Sequence, residues 1–365
     1  MKIVTIVGAR PQFIKAAVVS RVLRRQQEEI LLHTGQHFDY NMSDVFFEEM
    51  DIPKPDYNLG ISGGSHGRMT GAMLVAIEDV LVKEQPSLVI VYGDTNSTLA
   101  GALAAVKLRI PVCHIESGVR LGTLENPEEV NRICTDHLST LLMCCTPSAV
   151  DFLGKEGIRR GVYLVGDPMY DAFIYYRERI TARDKENIIG FEGQRLVRPQ
   201  AHYYLTCHRE ENTAHDETIV EIMRAMNSLD APTIYPVHPR NRERVFALWE
   251  RGEYKNIILT QPVGYLTSIS LVKDARKVVT DSGGLQREAF FAGVPCVTIL
   301  DHVAWPETMA GNMNQLSRPD RQEILSKLAV LPEEDLSYQP FGDGHAAEKI
   351  VSIAARYLSE KGERR

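Results

Sequence analysis

The sequence predicts an α/β protein with two Rossmann-like domains, each built on a parallel sheet. Short apolar runs rich in β-branched residues alternate with helical patterns almost from end to end. Repeated βα units of this kind form parallel sheets that helices cover on both faces. At 365 residues, the chain is also too long for one hydrophobic core. Two series of βα units, before and after about residue 168, therefore predict two domains with a cleft between them.

The first series forms the predicted N-terminal domain, residues 1–168. Its predicted elements, in chain order, are strand 3–7, a helix from about 11 to 25, strands 30–33 and 88–92, an alanine-rich helix 99–108, and strands 112–116 and 141–146. Polar residues follow most of these strands. Because ligands of open α/β sheets bind at the carboxyl ends of strands, we expect functional residues there.

The second series forms the predicted C-terminal domain, residues 169–345. Its predicted strands are 203–207, 233–237, 257–260, 277–280 and 296–299. The highly charged segment 177–197 is predicted to contain a helix and a loop near the junction. The last segment, 346–365, has the pattern of a helix that can pack back on the N-terminal domain.

Composition and charge narrow the classes of function. The net charge of −7 argues against electrostatic binding of nucleic acid, and no apolar run approaches the length of a membrane span. The first strand is too short for the hydrophobic region of a secretory signal. Six cysteines without a Cys-x-x-Cys pair favour buried, reduced thiols in a cytoplasmic protein over a disulfide framework.

The most informative motif is segment 278–289, where a β-prone run meets a turn with two adjacent glycines and then a helical pattern. Such a turn can present backbone N–H groups at a helix N-terminus, which suits a phosphate. Ser282 can cap that helix and donate to phosphate, and Glu288 can accept hydrogen bonds from sugar hydroxyls. The alternative is an ordinary strand-to-helix turn, because Gly283 and Gly284 alone form a weak motif.

Basic side chains follow two other predicted strands. Segment 8–15 lacks the G-x-G-x-x-G pattern, which disfavours NAD. Arg10 and Lys15 stand where a helix begins and oppose its dipole, so they favour an anionic partner; the alternative is a solvated helix start. In the second half, His208 and Arg209 follow a strand, and His208 can donate to phosphate or carry a proton. The alternative there is a capped helix start with an incidental histidine.

Three carboxylates of the first half lie near predicted strand ends: Asp94, Glu116 and Glu128. Crowded carboxylates suit general acid/base chemistry, and Arg120 and Arg132 are available to balance their charge. The alternative is that all three carboxylates are solvated or cap helices, as Asp94 can do.

A metal site is not predicted. His114 and Glu116 lie two residues apart and would share one face of a strand, which invites a metal interpretation. However, no third ligand stands at a recognisable spacing. We therefore expect a site without a metal.

Taken together, these motifs match one family. The chain resembles the non-hydrolysing UDP-N-acetylglucosamine 2-epimerases, which have a two-domain, glycosyltransferase-B-like fold, over nearly its whole length. The matching motifs, in family order, are Gly8-x-Arg10-Pro11-x-x-x-Lys15, Gly93-Asp94-Thr95, His114-x-Glu116-x-Gly118-x-Arg120, Pro127-Glu128-Glu129-x-Asn131-Arg132, His208-Arg209-x-Glu211-Asn212 and Thr280-Asp281-Ser282-Gly283-Gly284-x-Gln286-x-Glu288.

The resemblance implies roles for individual residues. The residues it implies for catalysis are Asp94, Glu116, Glu128, Lys15 and His208. The residues it implies for substrate binding are Arg10, Arg120, Arg132, Arg209, Ser282, Gly283, Gly284, Gln286 and Glu288. The family mechanism implies that UDP is eliminated to leave a 2-acetamidoglucal-like intermediate and is then added back with C2 inverted. No redox cofactor is required.

Two branches of the family remain open. Segments 8–16, 33–49, 208–213 and 293–298 resemble the branch that acts on UDP-2,3-diacetamido-2,3-dideoxyglucuronic acid. Relatives usually carry Arg-Asp in the loop after the last strand, where this chain has Leu300 and Asp301. The lost arginine could mean a neutral sugar, or a carboxylate read by another residue such as His302. Trp305, further along that loop, could simply pack it onto the domain.

We predict a cytoplasmic UDP-HexNAc 2-epimerase that is a homodimer and acts on UDP-GlcNAc and UDP-ManNAc, with the diacetamido-uronate as the alternative substrate. A rival enzyme class is a glycosyltransferase of the same fold, which would need an acceptor and would give no epimer by itself. A third hypothesis is that the protein is a sensor that binds a nucleotide sugar without turnover. The clustered acids Asp94, Glu116 and Glu128 argue against it, because a sensor has no need of them.

Overall fold

The computed structural model describes residues 1–36, 49–333, 335 and 337–363. The chain folds into two compact units. Unit 1 comprises Met1–Ile174 and Gln339–Arg365, and unit 2 comprises Tyr175–Tyr338. Most of segment 33–49, which resembles the diacetamido-uronate branch, lies outside the described residues.

Unit 1 is built on a seven-stranded parallel sheet with the order β3-β2-β1-β4-β5-β6-β7. The strands are β1 (Lys2–Val7), β2 (Glu28–His33), β3 (Tyr57–Asn58), β4 (Leu88–Tyr92), β5 (Val112–Ser117), β6 (Leu141–Cys144) and β7 (Val162–Leu164). The helices are α1 (Arg10–Leu23), α2 (His66–Glu84), α3 (Asn96–Lys107), α4 (Pro127–Leu138), α5 (Pro147–Lys155), α6 (Pro168–Arg177) and, from the end of the chain, α14 (Ala346–Glu363). Every residue of β4 is buried, as expected for a strand covered by helices on both faces.

Unit 2 is built on a six-stranded parallel sheet with the order β10-β9-β8-β11-β12-β13. The strands are β8 (Tyr203–Thr206), β9 (Thr233–Pro236), β10 (Ile257–Thr260), β11 (Val278–Thr280), β12 (Cys296–Thr298) and β13 (Asn314–Leu316). The helices are α7 (Ala182–Glu186), α8 (Glu210–Thr213), α9 (Asp216–Asn227), α10 (Arg242–Arg251), α11 (Tyr265–Lys273), α12 (Gly283–Phe291) and α13 (Arg321–Ala329), with short 3-10 helices at Pro239–Asn241 and Pro306–Asn312.

Each sheet has a point where the strand order reverses. In unit 1 the chain leaves β1 toward β2 and later returns to the other side of β1 as β4; in unit 2 the strands β8, β9 and β11 repeat this arrangement. Ligands of such sheets bind in the crevice at the carboxyl ends of the two strands that meet there. We call these two places the switch points. The motifs after β1 and β4 lie at the switch point of unit 1, and the motifs after β8 and β11 lie at the switch point of unit 2.

The predicted strands are present, and the differences concern their ends and the edges of the sheets. The predicted strand 141–146 ends at Cys144, because Thr146 is the N-cap residue of α5 and Pro147 opens that helix. The strands β3, β7 and β13 were not predicted. Each has only two or three residues, which is too short for a period of two to be recognised.

The predicted domain boundaries differ from the division between the units. Helix α6 continues without a break past Ile174, where unit 1 ends, so its sequence gives no sign of a boundary. Residues 339–345, assigned to the C-terminal domain, belong to unit 1, where Phe341 accepts the N–H of Asp167 through its carbonyl (2.9 Å). The terminal helix α14 packs against α1 of unit 1. Among the described residues, no helix is long and apolar enough to cross a membrane.

A buried carboxylate joins α6 to α14. The N–H of Ala347 donates to Asp171 Oδ2 (2.7 Å). Burial raises the pKa of the Asp171 carboxyl to about 6, although the backbone N–H groups of Ala347 and Ala346 act to lower it. The folded pKa exceeds the unfolded value of about 3.9. The stability that Asp171 contributes is therefore complete below about pH 4 and is lost as the pH rises through about 6.

Asp171→Asn should remove this pH dependence, because an amide still accepts the N–H of Ala347 and does not titrate. The free energy of unfolding of the wild type, minus that of the variant, should fall by up to about 3 kcal/mol between pH 4 and 7. Urea denaturation at a series of pH values measures the difference. Asp343→Asn, which removes an exposed carboxylate bound to Lys349, is the matched control and should show no such fall. A wild-type-minus-variant difference that is constant with pH would contradict the prediction.

Candidate functional site

Gln12 holds together the turns that follow β1 and β4. Its amide oxygen accepts the N–H groups of Gly8 (2.7 Å) and Ala9 (3.1 Å). Its Nε2 donates to the carbonyl of Tyr92 (2.6 Å), and the side chain is only 2% exposed. The switch point of unit 1 is therefore a fixed surface, with Arg10 half-buried at the first residue of α1.

Lys15 and Glu116 form a buried ion pair at this switch point. Lys15 Nζ lies 2.6 Å from Glu116 Oε2, and the residues are 2% and 9% exposed. Glu116 has a left-handed backbone (φ 72°) and stands where the register between β5 and β6 shifts; such a backbone is uncommon outside glycine and clusters at functional sites. A Cβ built on Gly93 would lie 3.6 Å from both Glu116 Oε1 and Lys15 Nζ. The ion pair therefore borders the turn that carries Asp94.

Helix α4 holds Asp94 in place. Asp94 Oδ2 accepts a hydrogen bond from Arg132 NH2, and Arg132 NH1 donates to Glu129 Oε2 (2.7 Å). Asn131 Nδ2 donates to the Asp94 carbonyl (3.0 Å). Glu129 Oε1 in turn accepts the N–H of Leu121 (2.8 Å). The Asp94 carboxylate is therefore fixed on one side, while 27% of its side chain stays exposed.

Glu128, the third predicted carboxylate, is at the surface of unit 1. It is exposed in the first turn of α4, where Asn126 Oδ1 accepts its backbone N–H (2.9 Å). Its neighbour Glu129, 1% exposed, is the residue that binds Arg132. The first turn of α4 directs Glu129 inward and leaves Glu128 at the surface, so the crowding of Glu128 with the other two carboxylates stays a prediction.

His114 contacts Asp136 and the turn after β4, and it does not pair with Glu116. Its Nδ1 lies 2.7 Å from Asp136 Oδ1, and its Nε2 lies 2.7 Å from the carbonyl of Gly93. Each ring nitrogen of His114 therefore has an oxygen neighbour within the buried interior. Burial acts to raise the pKa of Asp136, but His114 and Arg120 outweigh burial and hold that pKa below its ordinary value.

Arg120 was expected to balance the charge of Asp94, Glu116 and Glu128, but it binds Asp136 and Glu156. Its NH1 lies 2.7 Å from Asp136 Oδ2, and its Nε and NH2 donate to the two oxygens of Glu156 (2.6 and 2.8 Å). Burial acts to lower the pKa of this guanidinium, but the two carboxylates raise it above its ordinary value. Arg120 is 8% exposed and connects β5 with α5, so the structure gives it a supporting role.

One group of possible metal ligands contains Glu116. Single ligand atoms of Glu116, Cys145 and Asp167 lie within 4.8 Å of one another. The ammonium of Lys15 already lies 2.6 Å from the Glu116 carboxylate, and it would repel a divalent cation bound there. Lys15 already balances the negative charge of Glu116, so this group suits an ion pair better than a metal ion.

The switch point of unit 2 contains the start of α12. Ser282 is its N-cap residue: Ser282 Oγ accepts the N–H of Leu285 (3.3 Å), and the Ser282 N–H donates to Thr280 Oγ1 (2.9 Å). Gly283 and Gly284 form the first turn of this nine-residue helix, and both are half-buried. Their N–H groups lie at the open end of the helix, where the backbone donors and the dipole favour an anion.

Asp281 joins the turn after β11 to the turn after β8. Its Oδ2 accepts the backbone N–H groups of His208 and Arg209, each at 2.8 Å, and its Oδ1 lies 3.0 Å from His208 Nδ1. Burial acts to raise the pKa of Asp281, but His208 and the two N–H groups hold it at about 2. An ionised Asp281 thus orients His208, whose side chain is 40% exposed. Half-buried Arg209 stands at the N-cap position of α8, and its side chain makes no capping hydrogen bond.

Two predicted substrate-binding residues of α12 are buried. Gln286 Nε2 donates to Thr308 Oγ1 (2.7 Å), and the residue is 1% exposed. Gln286 therefore supports the loop after β12 and does not present its amide on the surface. Glu288, expected to bind sugar hydroxyls, is 5% exposed.

The divergent loop after β12 packs against α12. The indole of Trp305 lies under the guanidinium of Arg287, with 4.0 Å between Cζ and the ring centroid, and both residues are buried. A Cβ built on Gly283 would lie 3.8 Å from Trp305 Nε1. Trp305 therefore packs the loop and also borders the anion-favouring turn. Leu300 is buried, and His302 Nδ1 lies 2.6 Å from Asp301 Oδ1.

Sequence reasoning missed four residues that organise the site: Gln12, Glu129, Asp136 and Arg287. For two of them a signal was available. Glu129 and Asp136 lie three residues before and four residues after Arg132, so all three share one face of a helix. Charged side chains on a helix face that is buried need hydrogen-bonding or oppositely charged partners. Gln12 and Arg287 gave no such signal.

Comparison with known proteins places the chain among epimerases. A family model described as UDP-N-acetylglucosamine 2-epimerase matches residues 21–355. A UDP-N-acetylglucosamine 2-epimerase homolog of Methanococcus maripaludis is 45% identical over 97% of this chain and 99% of its own length. A UDP-2,3-diacetamido-2,3-dideoxy-D-glucuronate 2-epimerase of Pseudomonas aeruginosa is also 45% identical, over 98% of this chain and 100% of that protein.

Solved structures of epimerases share the fold. UDP-GlcNAc 2-epimerase of Methanocaldococcus jannaschii, in complex with UDP-GlcNAc and UDP, superposes with a TM-score of 0.88 at 35% identity, over 98% of this chain and 100% of that one. The Neisseria meningitidis enzyme bound to UDP-GlcNAc gives a TM-score of 0.85 at 27% identity, again over 98% and 100% of the two chains. The expected α/β, glycosyltransferase-B-like fold is confirmed.

Asp281→Asn should destabilise the protein at neutral pH. Because the folded pKa of Asp281, about 2, lies below the unfolded value, its contribution to stability is present above about pH 4 and is lost as the pH falls through about 2. We expect a loss of about 2–3 kcal/mol at pH 7 that shrinks toward pH 2, measured by urea denaturation across this range. The control Asp301→Asn, which alters an exposed carboxylate that also contacts a histidine, should cost under about 1 kcal/mol. An Asp281→Asn variant as stable as the wild type at pH 7 would be inconsistent with this role.

Proposed function

Because the chain belongs to the UDP-N-acetylglucosamine 2-epimerase family, an isomerase family, we propose that it inverts C2 of UDP-GlcNAc to give UDP-ManNAc, in the synthesis of surface-polysaccharide precursors. The observation that carries the proposal is the buried Lys15–Glu116 pair beside Asp94 at the switch point of unit 1. The complex of the M. jannaschii epimerase with UDP-GlcNAc and UDP supports the substrate class.

The reaction must remove a proton that is not acidic by itself, because C2 of the sugar is not next to a carbonyl group. A base takes the C2 proton, the C–H electron pair forms a C1=C2 double bond, and the C1–O bond breaks with its electron pair leaving on UDP. UDP then adds back to C1 while a proton is delivered to the opposite face of C2. Atoms and electrons balance without an oxidant or a reductant.

We propose Asp94, Glu116 and Glu128 as the acid/base groups. Epimerisation needs proton removal on one face of the sugar and delivery on the other, so at least two positioned groups must act. The contacts of Glu116 with Lys15 and of Asp94 with Arg132 hold two of the carboxylates in fixed places. Glu128 is exposed, so we propose that it acts on the sugar only when substrate is bound.

Departure of UDP requires that its negative charge be stabilised. We propose that Arg10, Lys15 and His208 bind or activate the diphosphate, because cations aimed at a leaving phosphate lower the barrier to its departure. The N–H groups of Gly283 and Gly284 would hold phosphate at the start of α12. The remaining proposed contacts to substrate are made by Arg132, Arg209, Ser282 and Glu288.

The proposed reaction is tested by incubating the enzyme with UDP-GlcNAc in D2O. We expect UDP-ManNAc to appear, and deuterium to accumulate at C2 of the sugar, both observed by NMR. A glycosyltransferase would give no epimer without an acceptor, and a sensor would bind without turnover. Absence of both epimer and C2 deuterium would overturn the proposed function.

Amide variants test the acid/base groups in the same assay. Asp94→Asn, Glu116→Gln and Glu128→Gln should each lower turnover by about 100-fold or more while UDP affinity stays near that of the wild type. Glu125→Gln, at an exposed glutamate three residues before Glu128, is the matched control for the third variant. Full activity in Glu116→Gln would remove that residue from the mechanism.

Gly284→Val tests the anion-favouring turn. A side chain in the first turn of α12 would intrude where phosphate approaches the backbone, so UDP affinity should fall by about tenfold or more in calorimetry while the protein stays folded. Gly154→Val is the control, because that helical glycine of α5 has open space around its Cβ position. Wild-type UDP affinity in a folded Gly284→Val variant would refute the proposed contact.

A second substrate has specific support. The P. aeruginosa diacetamido-glucuronate epimerase is as similar to this chain as the M. maripaludis homolog, at 45% identity. We place UDP-GlcNAc first, because this chain has a buried Leu300 at the position where the family resemblance implies an arginine suited to a carboxylate. Side-by-side kcat/KM values compare the two substrates, and a higher value for the uronate would change the substrate while leaving 2-epimerisation in place.

We also propose that the enzyme works as a homodimer in the cytoplasm. All six cysteines are free thiols, and five of them are buried, which suits a reducing compartment. Val75 and Val82 lie seven residues apart on the exposed side of α2, and a second copy of the chain could cover such an apolar face. Size-exclusion chromatography with light scattering measures the oligomeric state.

A further inference from the structure

One buried side-chain amide, that of Gln12, contacts the turns on both sides of the switch point of unit 1. Its Oε1 accepts the N–H groups of Gly8 (2.7 Å) and Ala9 (3.1 Å), the two residues before α1. Its Nε2 donates to the carbonyl of Tyr92 (2.6 Å) at the end of β4 and to Thr95 Oγ1 (3.0 Å) at the N-cap of α3. Gln12 is 2% exposed, so water competes little for these hydrogen bonds.

Helix capping explains the oxygen of this amide but not its nitrogen. Gln12 is the third residue of α1, and its Oε1 accepts the N–H of the N-cap residue Ala9, as in a capping box. A glutamate can do the same, and its charge would also interact favourably with the positive end of the helix dipole. An amide differs from a carboxylate in having N–H donors as well as an acceptor. The donor side of Gln12, which faces the turn after β4, therefore accounts for a glutamine at this position.

The donor side of the amide brackets the turn that carries Asp94. Tyr92 lies two residues before Asp94, and Thr95 follows it directly. Nε2 also lies 3.0 Å from Thr98 Oγ1, and that hydroxyl donates to the same carbonyl of Tyr92 (2.6 Å). In the part of the chain that the structure describes, the side-chain amide of Gln12 is bound by main-chain groups and hydroxyls and by no charged side chain. The position of Asp94 thus depends on a neutral donor at this point.

The acceptor side of the amide fixes the start of the helix that carries Arg10 and Lys15. Gly8 and Ala9, whose N–H groups it binds, directly precede Arg10, the first residue of α1. Gly8 is also closely packed, because a Cβ at this position would lie 2.1 Å from Ser97 Oγ. One side chain therefore positions both the basic residues of α1 and the carboxylate that follows β4.

We propose that Gln12 is a positioning residue, which holds the basic start of α1 and the Asp94 carboxylate in the relative places that elimination of UDP requires. This inference rests on the proposed epimerase function, in which Arg10 and Lys15 act on the diphosphate and Asp94 is an acid/base group. The C1–O bond breaks as the proton leaves C2, so both sets of groups must be in place together. A displacement of about 1 Å can cost about 100-fold in rate. Gln12 acts through these residues and does not touch the substrate.

Gln12→Met removes the hydrogen bonds of this side chain and nearly keeps its length. We expect kcat for epimerisation of UDP-GlcNAc to fall by about tenfold or more. KM should stay within about threefold of the wild-type value, because the proposed phosphate contacts at the start of α12 are untouched. A role in folding alone would lower the thermal midpoint and leave the kcat of the folded enzyme unchanged.

Gln12→Glu removes the donor alone. Its carboxylate still accepts the N–H groups of Gly8 and Ala9, which favour the ionised form together with the positive end of α1. At about pH 8 the ionised carboxylate has no hydrogen to donate to the Tyr92 carbonyl. We therefore expect kcat at this pH to fall by about tenfold or more, with the helix cap preserved if Gln12→Met folds poorly.

Asn256→Asp is the matched control. Asn256 Nδ2 also donates to two main-chain carbonyls, those of Leu229 (2.7 Å) and Ala231 (3.0 Å), but it precedes β10 at the end of the unit 2 sheet opposite the switch point. This variant should keep kcat within about twofold of the wild type.

Two results would overturn the inference. One is wild-type kcat in a folded variant of Gln12, either methionine or glutamate. The other is a rise in KM that accounts for the whole loss of kcat/KM, because the effect would then lie in binding and not in the positions of the reacting groups. If the wild type gives neither epimer nor C2 deuterium, the proposed function itself fails, which is a different result from both.

Discussion

The buried ion pair between Lys15 and Glu116 is the constraint on which the first site depends. A lysine and a glutamate can be buried only if each neutralises the other and the geometry is good. The pair is placed by the start of α1 shortly after β1 and by the left-handed backbone of Glu116 just before the end of β5, and it borders Gly93, whose φ of 61° favours glycine. The same features place Asp94 beside Glu116, so charge neutralisation and the arrangement of candidate catalytic groups have one origin.

Helix α4 supports this arrangement through a charged face that turns inward. Glu129 binds the loop at Leu121 and Gly122, Arg132 binds Asp94, and Asp136 binds His114 and Arg120. One helix therefore fixes side chains that follow two different strands. An exposed salt bridge would hold these groups weakly, whereas buried and mutually bonded charges are costly to separate. The result is a preorganised site, which is what catalysis by positioned charges needs.

The two units use the same device at their switch points. In unit 1, Asp136 lies against His114 Nδ1 and accepts the N–H of Gly118 (3.0 Å). In unit 2, Asp281 lies against His208 Nδ1 and accepts two backbone N–H groups. In both cases an ionised aspartate ties a histidine to a turn of the backbone. The difference is exposure: His114 is fully buried and serves the scaffold, whereas His208 is open to a ligand.

The sequence alone determined the α/β class and the central strands, and it predicted where ligands bind, because apolar runs, glycines and polar turns are local patterns that report strand ends directly. It also contained the motifs that identify the family. Only the tertiary structure decided which charged groups meet. Glu116 binds Lys15 and not His114, and Asp167 lies close to Glu116. Glu129 is buried, whereas Glu128 is exposed. These contacts join residues that are far apart in the chain. A left-handed backbone or a register shift can also change the direction of a side chain, and the residue types alone do not predict either feature. Burial then fixes the energetic consequence, because a charge must find a partner wherever the fold removes it from water.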